Sequence, residues 1–382
     1  MLRNGITEDT AKVESETHEV DGDTWSVSMD ATRIKSLEQL VEHCSVDLNL
    51  WEVDRFVCNK WEVGAKNDAG RIAVEPLFQV KAWFKKRPGM AFATEEIESL
   101  KADAKRHAPK YKAIVYKNTP TGNIAEIAIP DIHIGKLAWG RETMDEDYDT
   151  RKAIALFREA MLGLMSRVSF LSLDRIVLVI GNDLVQIDNR NGTTTAGTVV
   201  DRDSRYHKIY KKVRQMLVEE IDKLRMIAPV LVVVVPGNHD NQTAFTLGDS
   251  LECWFHNCSE VEIQNEPTPR KYYQHGKVMI MWCHGDKAKR ADYPLLMATE
   301  KPAMFGVTVY RECHTGHLHT TRTDEKLGVR VRIIPSLCPA DYWHAENGFT
   351  GNIKAAEIYV WNEEEGLVNQ GFFNISHRSN KN

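Results

Sequence analysis

Residues 125–137 read AEIAIPDIHIGKL. An apolar run passes into Asp131, with His133 two places on and Gly135 after it. The run fits a strand covered on both faces. Such a strand does not end in a bare carboxylate and imidazole without a chemical reason. The runs DRIVLVIG at 174–181 and PVLVVVVPG at 229–237 repeat the texture. Helical periods lie between them: Ile154, Phe157, Met161, Leu164 and Val168, then Ile209, Val213, Leu217, Ile221 and Leu224. This is βαβαβ. KVMIMWC (277–283), VTVYREC (307–313), VRVRIIP (329–335) and AAEIYVW (355–361) follow as strands with little helix between them. The pattern predicts an α/β layered domain over 121–382 with a strand-rich second half.

The 382 residues leave room for more than one domain. With 42% hydrophobic and 27% charged residues, the composition is that of a soluble globular protein. No apolar run approaches the ~20 residues of a membrane helix, so no membrane partner is expected. The acidic, polar start does not read as a signal peptide. Seven cysteines without CxxC spacing suggest neither a disulfide framework nor a zinc knuckle. A cytoplasmic location is the expectation. Net charge is −5, yet residues 1–50 hold four Lys/Arg against eleven Asp/Glu and residues 51–120 hold fourteen against nine. That imbalance is compatible with nucleic-acid contact without requiring it.

Residues 1–30 read as a polar, loosely ordered N-terminus. Residues 31–90 read as a small winged-helix-like α/β module. SLEQLVEHC gives a short helix with Ser36 as N-cap, WEVDRFVCNKWEV a second helix, and RIAVEPLFQVKAWF strand or hairpin. Such a module would engage DNA or a protein partner, although its second helix lacks the Arg/Asn/Gln-rich face that reads base edges. Residues 91–120 read as a connecting helix and linker. Homo-oligomerisation is left open.

Each main-domain strand ends alike: PDIHIG, then IGNDLVQID, PGNHDN, WCHGDK and HTGHLHTT. Ligands of open α/β sheets gather beyond the carboxyl ends of the strands, so these tips should converge. Together they offer Asp131, His133, Asp183, Asn238, His239, His284, His317 and His319. Carboxylate, imidazole and amide oxygen without thiolate suit Mn²⁺, Fe²⁺ or Zn²⁺ in a reactive site. The set is too large for one ion and about right for two, ~3.5–4 Å apart with a bridging carboxylate. In DxH and HxH on an extended segment, residues i and i+2 face the same way, so Asp131 with His133, and His317 with His319, could each face one ion. A lone histidine at a strand end is as a rule structural, and His314 is placed in that class. Asp188 and Asp286 are candidates for outer partners of a histidine.

The order D-x-H, G-N-D, G-N-H-D, a lone H in a strand turn, then G-H-x-H resembles the calcineurin-like metallophosphoesterase superfamily over residues 124–335. The resemblance implies a layered β-sandwich flanked by helices and a metal-dependent phosphoesterase, a hydrolase acting on ester bonds. It implies that Asp131, His133 and His319 hold one metal, that Asn238, His284 and His317 hold the other, and that Asp183 bridges them. Two divalent ions follow, Mn first, with Fe or Zn as alternatives. A metal-bound hydroxide would attack phosphorus in line. His239 would act as general acid or stabilise the transition state, oriented by Asp240 or Asp131.

For substrate, GNDLVQIDNRNG lacks the phosphate-gripping arginine that protein phosphatases carry in GDxVDRG, although Arg190 is nearby. D-x-H-x-G is more like the SbcD-type DNA-repair nucleases, with Gln186 where those place a histidine. The threonine-rich loop NGTTTAGT is closer to phage-encoded relatives. Lys287, Lys289 and Arg290 of HGDKAKR are candidates to grip a phosphodiester backbone. Trp139 is a candidate to stack a base or to pack in its own loop. The expected activity is a nucleic-acid phosphodiesterase, a DNA nuclease. Alternatives are a small-molecule or cyclic-nucleotide phosphoesterase, a protein phosphatase, or a non-catalytic metal-containing scaffold.

Overall fold

The computed structural model describes residues 15–21, 24–30, 34–48, 51–66, 72–86, 104–116 and 119–375. The chain divides into two compact units, Met1–Asp103 and Ala104–Asn382.

In the first unit β1 (Ser15–Asp21), β2 (Thr24–Asp30), β3 (Trp51–Lys66) and β4 (Ile72–Lys86) form an antiparallel sheet in the order β1-β2-β4-β3. One helix, α1 (Leu37–His43), follows β2, and the Ser36 hydroxyl accepts from the Gln39 N–H at 3.3 Å. Leu40 packs with Val27, Met29, Val80, Ala82 and Phe84, all buried. This is not a winged helix. WEVDRFVCNKWEV, read as a second helix, is strand β3. Trp51, Val53, Phe56, Val57 and Trp61 are strand-forming side chains, and a register shift between Val53 and Arg55 interrupts their alternation. That slip hides the two-residue period. Residues 15–21 and 24–30, expected to be loosely ordered, pair as antiparallel strands instead. Of the expected connecting helix, residues 91–103 lie outside the described residues, and 104–107 form one helical turn.

The second unit holds α2 (Gly140–Thr143), α3 (Thr150–Arg167), α4 (Tyr206–Leu224), α5 (Asn241–Phe255), α6 (Tyr293–Glu300), α7 (Pro302–Val307) and α8 (Tyr342–Glu346). Its strands are β5 (Asn123–Ala128), β6 (Arg175–Gly181), β7 (Val230–Val235), β8 (Val261–Gln264), β9 (Lys271–His275), β10 (Val278–Trp282), β11 (Tyr310–Thr315), β12 (Arg322–Lys326), β13 (Val329–Ile333), β14 (Ala355–Asn362) and β15 (Gly366–Asn374). A six-stranded sheet runs β15-β14-β5-β6-β7-β8, parallel from β5 to β8; a five-stranded sheet runs β12-β13-β11-β10-β9.

The sheets face each other across a buried layer that includes Val177, Val179, Val233, Ile280, Trp282, Tyr359 and Trp361. Behind the larger sheet, Phe157, Leu164, Val213, Leu217, Leu247 and Leu251 bury the inner stripes of α3, α4 and α5. Behind the smaller one, Met279, Met281 and Val331 cover Tyr293 and Met297 of α6. The result is a helix–sheet–sheet–helix sandwich with the carboxyl ends of β5, β6, β7, β10 and β11 gathered at one rim. The expectation of little helix in the second half misses α6 and α7, whose apolar residues lack a long period. Among the described residues no helix is long and apolar enough to cross a membrane.

Candidate metal centre

All five strand tips deliver side chains to that rim. Three groups of potential ligands have their donor atoms within 4.8 Å of one another: Asp131, His133 and His319; His133, Asp183 and His239; Asp183, His284 and His317. Two pairs of imidazole nitrogens face each other. His133 Nε2 lies 3.2 Å from His319 Nε2, and His284 Nε2 lies 3.2 Å from His317 Nδ1. Asp183 Oδ2 lies 3.2 Å from His284 Nε2, and Asn238 Oδ1 lies 2.7 Å from that same nitrogen.

The backbone that aims these groups is not extended. Asp131 (φ 54°), His133 (47°), Asn182 (55°), Asp183 (62°), His317 (67°) and His319 (50°) are left-handed, six of the nine non-glycine residues with positive φ among those described. The extended i, i+2 arrangement expected of DxH and HxH does not occur. Asp131 and His133 do join one donor group, with His319, but through left-handed turns past the strand end. His317 joins Asp183 and His284, so His317 and His319 part to different groups. Each such residue costs on the order of 1–3 kcal/mol, and clustering of that strain marks a functional site.

Hydrogen bonds hold the tips together. Asp131 Oδ2 accepts from the His317 N–H at 2.7 Å, and its carbonyl accepts from the Ser336 hydroxyl at 2.6 Å. Asp183 Oδ1 accepts from the His239 N–H at 2.7 Å. Asn182 Oδ1 sits 2.7 Å from His284 Nδ1. Glycine is required where the tips cross. A Cβ at 237 would run into Asp183 Oδ1 and its main-chain nitrogen, and one at 316 into Asp131 Oδ2.

Charge follows from this packing. Burial, then His239 and His319, hold His133 well below the usual imidazole range, so the ring is neutral and can ligate. Burial opposes protonation of His284 too, but the Asp183 carboxylate outweighs it and raises the ring to about 9. Burial and the adjacent Asp183 push Asp240 up to about 8.

The set fits divalent cations on an observation independent of the motif. Asp131 Oδ1 and His133 Nδ1 are buried without a hydrogen-bond partner. An unpaired buried carboxylate oxygen costs on the order of 1–3 kcal/mol or more. A cation among Asp131, His133 and His319 would satisfy that oxygen.

Two expected contacts are replaced. Neither Asp240 nor Asp131 orients His239; its Nδ1 lies 2.9 Å from the Gln186 carbonyl. Asp240 instead accepts from the Gly237, Asp183 and Val185 N–H groups at 3.1, 3.3 and 3.2 Å. Its side chain thus pins the turns that carry Asp183 and Asn238. Asp188 contacts Thr243 and Thr195 hydroxyls at 2.9 and 2.8 Å rather than a histidine, tying the threonine-rich loop to α5. Asp286 pairs with Lys287 at 2.8 Å and Arg290 with Asp324 at 3.3 Å, while Lys289 and Arg190 are exposed. His314 is buried, with Glu126 2.7 Å from Nδ1 and Glu312 3.3 Å from Nε2. A cleft of about 810 Å³ lined by Arg141, Lys152 and Phe373 among others contains none of the site histidines.

The motifs left one group unflagged. The His344 ring stacks on His319, centroids 5.5 Å apart, and its Nδ1 lies 2.6 Å from Asp341 Oδ1. Asp341 also pairs with the buried Lys136 at 3.1 Å. The signal was available in DYWHAE, an N-cap aspartate three residues before a histidine.

No protein-family model matches the chain, and no curated protein does. Among solved structures it resembles a novel archaeal phosphodiesterase at 13% identity, covering 66% of this chain and 99% of that one, TM-score 0.30. Wild-type Vps29 of Entamoeba histolytica complexed with zinc aligns at 12% identity over 65% and 98% of the chains, TM-score 0.28. A predicted phosphoesterase from Streptococcus pneumoniae aligns at 10% identity over 67% and 100%, TM-score 0.25. Likeness at this level carries no argument about function.

Proposed function

We propose that the protein is a binuclear-metal phosphodiesterase of the calcineurin-like metallophosphoesterase superfamily, acting on nucleic acid as a DNA nuclease. The carrying observation is that Asp183 belongs to two donor groups at once, one with His133 and one with His284 and His317. In this reading Asp131, His133 and His319 hold one divalent cation, Asn238, His284 and His317 the other, and Asp183 lies between. The cations, Mn²⁺ first, supply Lewis acidity toward the phosphoryl oxygens and a nucleophile at neutral pH. The residues do the rest. A carbonyl can only accept, so the contact to Gln186 fixes the proton of His239 on Nδ1. Nε2 is left to exchange a proton with the leaving oxygen. Lys287, Lys289, Arg290 and Arg190 are the proposed grip on the flanking phosphates, and residues 31–90 the proposed partner or DNA contact.

The test is cleavage by metal-stripped protein resupplied with Mn²⁺, on end-labelled single- and double-stranded DNA beside bis-p-nitrophenyl phosphate. DNA cleavage that needs both Mn²⁺ and His239 supports the nuclease. Turnover of the small diester alone moves the substrate to a nucleotide. No turnover of either rejects the enzyme.

A further inference from the structure

Past the last ligand loop the chain sets a patch of rings in solvent. Tyr342, Trp343 and Phe349 are 53%, 58% and 55% exposed. Trp343 and Phe349 lie 5.7 Å apart between centroids at 32°. Contiguous exposed aromatics on a soluble domain mark a binding surface. This patch is continuous with the metal centre: Trp343 meets His344 edge-on at 5.1 Å, and His344 stacks on His319. Leu318, between two site histidines, is itself 51% exposed. The helix that follows the exposed Trp139, α2, packs against α8.

The patch is also held rigidly. Asp341 caps α8 by accepting from the His344 N–H at 2.9 Å, and its second oxygen meets Lys136 Nζ at 3.1 Å. Lys136 is 1% exposed and stands three residues from His133. One buried ion pair therefore fixes the aromatic rim to the loop that carries the first donors. Rigid placement of that kind is what positioning a substrate requires.

We propose that Trp343 and Phe349 form a stacking subsite for a nucleobase next to the scissile phosphate, so that the substrate is a base-bearing phosphodiester. The inference rests on the phosphodiesterase reading and deepens it. An exposed aromatic ring suits a base, since every base has a π-face and stacking one on such a ring needs no hydrogen-bond match. The cations that the imidazoles and carboxylates would hold then take the phosphate, and the rings take what lies beside it.

The test uses the full chain loaded with Mn²⁺ and compares oligothymidylate with the same oligomer carrying abasic residues beside the cleaved bond. The wild type is expected to favour the base-bearing substrate in kcat/KM by about 5- to 100-fold. Trp343→Ala and Phe349→Ala should bring that ratio toward one, and Trp343→Phe should keep most of it. A ratio unchanged in Trp343→Ala, or no preference in the wild type, overturns the subsite. If not even bis-p-nitrophenyl phosphate is turned over, the phosphodiesterase reading fails by itself. Anisotropy of labelled oligothymidylate then decides the subsite: weaker binding by Trp343→Ala supports it, and equal binding overturns it.

Discussion

The main-chain N–H of His317 donates to Asp131 Oδ2 at 2.7 Å. One carboxylate oxygen thus locks the loop after β11 to the loop after β5, across the junction of the two sheets, and the other is left without a hydrogen-bond partner, 3.6 Å from His319 Nε2. Asp131→Ala removes the lock and the donor together. Its activity should fall by more than the ten- to hundredfold that loss of an outer partner costs. Steady-state kinetics at saturating Mn²⁺ measures this, with circular dichroism to check the fold.

Gly237→Ala adds one methyl where Asp183 already stands. The carboxylate must move, so one metal equivalent and the activity should be lost while both cores stay folded. Metal analysis after dialysis, set against the thermal unfolding midpoint, checks the pairing of those outcomes.

His239→Ala should keep its metals and lose about 10²- to 10⁴-fold in turnover, the range for a missing general acid. Gln186→Ala should cost far less, because the anchor of His239 is the main-chain carbonyl of residue 186. Parallel kinetics of the two variants separates backbone from side chain.

Stability should depend on pH through the buried network that joins the two sheets. Glu126 faces Trp282 Nε1 at 2.6 Å, Trp361 Nε1 at 3.0 Å and His314 Nδ1 at 2.7 Å, and Arg330 reaches Glu312 at 2.8 Å. Burial disfavours the charged His314, but Glu126 and Glu312 outweigh it and raise the ring to about 9. Burial likewise opposes ionisation of Glu312, but His314 and Arg332 hold it at about 2. A raised imidazole stabilises fully below about 6.5 and loses that contribution as pH rises through about 9. A depressed carboxylate stabilises above about 4.5 and loses its share as pH falls through about 2. His314 should therefore lower the unfolding midpoints from pH 6.5 to 9, by an amount on the order of 3 kcal/mol in stability, and His314→Gln should remove that share of the decline.

In the first unit, Phe84 is fully buried against α1 and β2. Phe84→Ala should destabilise that unit by about 3–5 kcal/mol, read by urea unfolding.

The strands of the main domain were legible because β5, β6, β7 and β10 are covered on both faces and so read as unbroken apolar runs. Of the eight candidate side chains, Asp131, His133, Asp183, Asn238, His239 and His284 follow such a run within a few residues, while His317 and His319 follow β11, whose first residue is exposed. What could not be read was conformation that side-chain type does not dictate. The bulge at Val53/Arg55 made a strand look helical. The left-handed turns at Asp131 and His317 replaced an extended pair. The anchor of His239 is a main-chain carbonyl, which no residue letter reports. The Lys136–Asp341 pair joins residues some two hundred positions apart, and only the packing of α8 brings them together.

The central claim is that Asp183 stands between two cations, and electron paramagnetic resonance of the protein loaded with Mn²⁺ tests it most directly. Two Mn²⁺ per chain with the spectrum of an exchange-coupled pair, converted to isolated ions in Asp183→Asn, is the predicted result. Uncoupled Mn²⁺ lines from the wild type, or a single bound equivalent, would contradict it.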